Sequence, residues 1–178
     1  GGPPAQQGGH PHKQLEKTKK TANRHQTLAE TAQPQIHRPP AAERPQLHLG
    51  IARLLTERYG DDADAVFELV HHWSFATSYG LSTVEHVAAA GAYLRASARA
   101  LASGAHGPAL RFAPAGVGHL PQGAFDTHPA LAVQLHVRQV EAAYVNGDTA
   151  TAEAAGNVVL ARARSVLDKV RVHELRIH

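Results

Sequence analysis

The chain changes character near Gln46, and no single fold can treat both sides of that boundary alike. Residues 1–46 hold seven of the eleven prolines and four of the five lysines, with no Val, Phe, Tyr or Trp. Seven basic side chains there face three acidic ones, so this segment carries +4, the remainder −1, and the chain +3. A proline-studded polar stretch buries too little apolar surface to offset the entropy of ordering it. Residues 1–46 are therefore expected to be a disordered Pro/His/Lys-rich arm. Residues 47–178 have the length of one ordinary domain.

Composition removes several classes of function. Cysteine is absent, which excludes a disulfide framework, a thiolate metal site and a cysteine nucleophile, and fits a reducing, cytoplasmic setting. No apolar run approaches the ~20 residues of a membrane span, and the N-terminus lacks the pattern of a secretory signal. No methionine occurs, so Gly1 is expected to be a processing or fragment boundary. The preference for Arg over Lys in the body, with abundant Ala, suggests a GC-rich bacterial genome.

The body reads as helices. Leu47, Ile51, Leu54, Leu55 and Tyr59 keep helical spacing, which predicts a first helix over about Gln46–Tyr59 with that stripe buried. Asp61 or Asp62 is expected to cap a second helix, whose inner face is Val66, Leu69, Val70 and Trp73. Ser82 and Glu85 form a capping box for a third, with Val84, Val87, Ala88, Gly91, Leu94, Ala98, Leu101 and Ala102 in helical register up to Gly104. If that face is the core, Leu94→Ala costs about 2–5 kcal/mol.

Residues 104–128 carry five glycines and three prolines and predict a long Gly/Pro-rich loop pinned by Leu110, Phe112, Val117, Leu120 and Phe125. Pro129 suits the first turn of a fourth helix, capped by Asp126 or Thr127, with Val133, Val137, Val140 and Tyr144 inside. Asn146-Gly147 stops it, and Asp148 caps a long fifth helix through Val159, Ala163, Val166 and Val170. The expected fold is all-α: a single, mostly antiparallel bundle of about five helices behind the arm.

Fourteen histidines invite a metal reading. Glu68 and His71 make an E-x-x-H pair on one helical face, the unit that di-iron bundles use twice, and Glu57 and Glu141 are carboxylates on other helices. The second E-x-x-H is missing, because Tyr144 stands three residues after Glu141, and no H-E-x-x-H zinc motif occurs. Trp73 beside His71 and His72 is expected in the core, with one of the two imidazoles facing solvent. Ser74 and Ser78 lie near His71 without an orienting third group. Gly116-Val117-Gly118 opens no helix, so a nucleotide loop fails on context.

The basic cluster Lys13, Lys17, Lys19, Lys20 and Arg24 is the stronger functional feature. Grouped cations on an arm attract phosphate backbones through counterion release, although no aromatic residue lies nearby to stack on bases. The sequence therefore favours a non-enzymatic helical interaction or regulatory module whose arm contacts an acidic partner, nucleic acid or protein, with homo-oligomerisation open. The alternative is a metal-dependent helical-bundle enzyme, di-iron or zinc, built on Glu68 and His71.

Overall fold

The structure, a computed structural model, describes residues 1–2, 40–60, 62 and 64–177. Residues 40–178 form one compact unit. Among the described residues there are eight α-helices and no strand: α1 (Arg44–Tyr59), α2 (Val66–Ala76), α3 (Thr83–Ala102), α4 (His106–Gly118), α5 (Ala124–Thr127), α6 (Pro129–Val145), α7 (Thr149–Arg162) and α8 (Val166–Ile177). A single 3₁₀ turn, Thr77–Tyr79, follows α2. The all-α expectation holds. The count rises because the segment 104–128 is helical twice and the expected fifth helix is two.

Local chemistry accounts for several boundaries. Pro45 sits in the first turn of α1, where its missing N–H is no loss. The Ser82–Glu85 capping box forms as read: Glu85 N donates to Ser82 Oγ, and Ser82 N donates to Glu85 Oε2 at 2.8 Å. These bonds and Arg53 beyond them hold the Glu85 carboxyl down at about 2, with the Ser82 hydroxyl the largest cause. Asp148 caps α7 by accepting from Thr151 N at 3.0 Å, and Gly147 supplies the left-handed turn before it, φ 74°. Other caps differ: Ala65 and His128 precede α2 and α6 without a side-chain cap bond, so neither Asp62, Asp126 nor Thr127 caps there.

The expected loop is where the sequence reading fails most clearly. In α4, Pro108 falls in the first turn and Pro114 inside the helix, yet Ala109, Ala113 and Gly116 recur at helical spacing on its buried face. That face is made of the smallest residues, so a search for large apolar residues passes over it. Gly116 marks the closest approach: a methyl group there would lie 2.5 Å from Leu135 Cδ2 and 3.0 Å from Tyr93 Cβ. Gly116, Gly118 and His119 end this helix, in keeping with the rejection of a nucleotide loop.

Small residues also decide which face of α3 is inside. The helix has the expected bounds, but Ala89, Ala90, Ala92, Tyr93, Ala96, Ser97 and Ala100 are buried, while Val84 is exposed and Leu94 half-buried. α3 packs against α2, α4 and α6 together. Three neighbours leave room for methyl groups, and the bulkier side chains are displaced to the seams. In α1 the buried residues are Leu49 and Ala52, whereas Leu47, Leu54 and Tyr59 of the expected stripe are exposed.

One apolar cluster joins α1, α2 and α3 around Trp73, Leu69 and Val66. Another joins α5, α6, α7 and α8 through Phe125, Val133, Val159 and Val172. The helical hairpin α6–α7 is present. Beyond it the chain breaks at Ala163, whose backbone is extended (ψ 135°), with Arg164 paired to Asp126 at 2.5 Å. The break re-aims α8 so that Val172 seats on Gly156, where a methyl would come within 3.0 Å of Val172 Cγ1. Val166 and Val170, expected inside, are consequently outside.

Candidate functional site

Two places gather chemistry-bearing side chains. The first is an imidazole cluster across α1 and α2. His48 from α1 and His72 from α2 share a hydrogen bond between their Nδ1 atoms at 2.9 Å, so one ring donates and the other accepts. Phe75 stacks on His48, with ring centroids 4.6 Å apart, and meets the edge of His71 at 5.0 Å. His71 and His48 lie 5.8 Å apart by ring centroids. Burial, then the neighbouring His71 and Arg44, lowers the pKa of His48. Burial, then His48 and His71, lowers that of His72 against the opposing pull of Glu68. The cluster thus resists taking up charge.

This geometry rearranges the expected metal ligands. Glu68 approaches His72 Nε2, at 4.0 Å, rather than His71, and both Glu68 and His71 are exposed. Glu141, the carboxylate expected to complete a di-iron set, is on α6 and is engaged by Arg138 and by Arg171 at 2.9 Å. Glu57 lines a separate cleft. Among the described residues no group of three His, Cys, Asp or Glu is disposed to hold a metal ion. The hydroxyls of Ser74 and Ser78 donate to the carbonyls of His71 and Phe75 on their own helical turn, which commits both as donors. Trp73 is buried and His71 exposed, the division expected of that segment.

The second place is a cleft of about 620 Å³ between the end of α1, the middle of α3 and Leu131 of α6. Arg58, Tyr59, Glu57 and Asp62 line one side, and Val87, Ala88, Gly91 and Arg95 the other. Sequence reasoning missed it because its residues come from three helices and no two share a motif. It also missed a second imidazole pair, His86 with the buried His119, whose Nδ1 atoms are 3.1 Å apart. Tyr93 stacks on His119 at 5.4 Å, and the pair closes the seam of α3 and α4. The two residues stand 33 apart in the chain, so no local motif joins them.

Lys13, Lys17, Lys19, Lys20 and Arg24 lie outside the described residues. No helix among the described residues is long and apolar enough to cross a membrane. No protein family, no curated protein and no solved structure matches this chain.

Proposed function

We propose that the chain is a non-enzymatic helical interaction module that pairs with a second copy through α8 and reaches an acidic partner, a nucleic-acid backbone, through its basic arm. The exposed face of α8 carries this reading. Val166, Val170, His173 and Ile177 follow one another at four-, three- and four-residue steps, the spacing of a coiled-coil seam. Val166 and Ile177 are 74 % and 80 % exposed, on the side opposite the buried Val172. Lys169 and Glu174 flank that seam on opposite sides, five residues apart, the separation at which g and e′ charges meet across two parallel helices. An isologous two-fold pair would join like seam to like seam. The arm adds the chain's positive excess, and cations of that density favour a polyanion.

Sedimentation equilibrium of the full chain tests the pairing. A concentration-dependent dimer is expected, and Val170→Asp should leave a folded monomer. A monomer at every concentration refutes it. The alternative is a metal-dependent helical-bundle enzyme using Glu68 and His71, and metal content separates it from the first reading. Stoichiometric iron or zinc in untagged protein, lost on His71→Ala, would establish it.

A further inference from the structure

We infer that the cleft at Arg95 is a binding site for a small organic monocarboxylate with an apolar or aromatic body. Glu85 is paired with Arg53 at 2.6 Å, and Arg99 with Asp64 at 2.7 Å. Arg95, one turn before Arg99, has neither a hydrogen bond nor an ion pair among the described residues, and its Nε is shut off from solvent. Arg138 is engaged by Glu141, and Arg176, whose Nε is buried without a partner as well, places its Nη2 on Glu153 at 2.7 Å and on Asn157 at 2.8 Å; Arg95 has no such anchor at any nitrogen among the described residues. The buried Nε without a partner costs free energy, and the half-buried Arg95 side chain lines a cleft that is open to an acceptor.

The walls define what that acceptor is. The Arg95 side chain lies back along its own helix over Gly91, with Nη1 3.6 Å from where a Cβ would be, an ordinary contact distance. The planar fork of donors matches a carboxylate. Arg58 is the second cation, its guanidinium carbon 5.8 Å from the Tyr59 ring centroid. Val87, Ala88 and Leu131 give the cleft an apolar lining that suits a hydrocarbon or ring. Glu57 and Asp62 line the same cleft and repel a second negative charge, which disfavours phosphate dianions and nucleotides. A volume of about 620 Å³ is within the range of small-molecule sites. The cleft makes no use of α8 or the arm, so the inference stands apart from the pairing proposed above.

Titrating ¹⁵N-labelled full-length protein with benzoate, acetate and inorganic phosphate tests it. Benzoate should give saturable shifts at the amides of Gly60, Val87, Gly91 and Leu131, with acetate at least about tenfold weaker for want of an apolar body. Arg95→Met should weaken benzoate at least about tenfold while the melting curve stays cooperative. Arg95→Lys, which keeps the charge and loses the fork, should fall between and serves if the Met variant does not fold. Absence of saturable cleft shifts at about 10 mM benzoate, or binding untouched by either Arg95 variant, overturns the site. Phosphate binding as tight as benzoate overturns the monocarboxylate assignment.

Discussion

Gly116→Ala is the sharpest test of how this body packs. The added methyl would lie 2.5 Å from Leu135 Cδ2 and 3.0 Å from Tyr93 Cβ. Leu135 is fully buried, so its methyl cannot swing into water, and Tyr93 Cβ is fixed to the α3 backbone. Overpacking of this kind costs about 1–3 kcal/mol. Against it, alanine in a helix gains up to about 1 kcal/mol over glycine, and less near the C-terminus of α4. The net expectation is a loss of about 1–2 kcal/mol, seen as a fall of roughly 3–8 °C in Tm for a body of this size. Gly50→Ala is the matched control, since it lies within α1 and its added methyl would meet nothing within 4 Å. That change should stabilise by up to about 1 kcal/mol.

A double-mutant cycle isolates the cause. Leu135→Ala alone should cost about 2–5 kcal/mol. Adding Gly116→Ala to it should be neutral or favourable, because the Leu135 methyl no longer occupies the space, giving a coupling of about 1–2 kcal/mol. Urea unfolding followed by far-ultraviolet circular dichroism supplies all four stabilities. The reasoning fails if Gly116→Ala stabilises as Gly50→Ala does, or if the two substitutions are additive.

Four further outcomes are expected. Ser97→Ala should stabilise by about 1 kcal/mol in urea unfolding, because the fully buried Ser97 Oγ has no hydrogen-bond partner and alanine is the better helix former. Leu69→Ala should cost about 2–5 kcal/mol and the half-buried Leu94→Ala less than about 2, reversing the order that the α3 pattern suggests; equal losses would contradict it. Burial holds the pKa of His48, His72, His119 and His136 below 6.5, so the unfolded chain takes up protons first and stability falls as pH drops through about 6.5, whereas the Glu85 contribution is lost only between 4.5 and about 2; an unchanged urea midpoint between about pH 7.5 and 5.5 would refute the histidine part. Binding of duplex DNA by the arm should show a log–log salt slope no steeper than about 4.5, flattened by up to about 3 when Lys17, Lys19 and Lys20 become Gln, and binding that survives deletion of residues 1–45 would move the contact to the body.

What the sequence disclosed and what it concealed follow from side-chain size. The face Val66, Leu69, Val70, Trp73 was legible because large apolar residues repeat at helical spacing and are buried. The Ser82–Glu85 box and the Asp148 cap were legible because each is a contact within three residues. α4 was hidden because its inner face is Ala109, Ala113 and Gly116, residues that carry little hydrophobic signal, in a helix that also holds Pro108 and Pro114, which argue for a loop. The break at Ala163 was hidden for a different reason. Nothing local forbids a continuous helix there, and the turn is set by Val172 meeting Gly156 from another element.

The same packing explains where the candidate sites lie. Alanines and glycines on the inner faces of α3 and α4 bring those backbones close, with Ser97 a small polar side chain among them. Long and aromatic side chains are displaced to the seams between helices, and there they meet partners distant in sequence. His48 meets His72, His86 meets His119, and Arg53 meets Glu85 on this principle, each pair joining two helices. Arg95 occupies the same kind of seam, with Glu57 and Asp62 lining its cleft yet making no bond to it. A seam residue so placed is the one whose partner is to be sought outside the chain, and the effect of Arg95→Met on benzoate binding answers it directly.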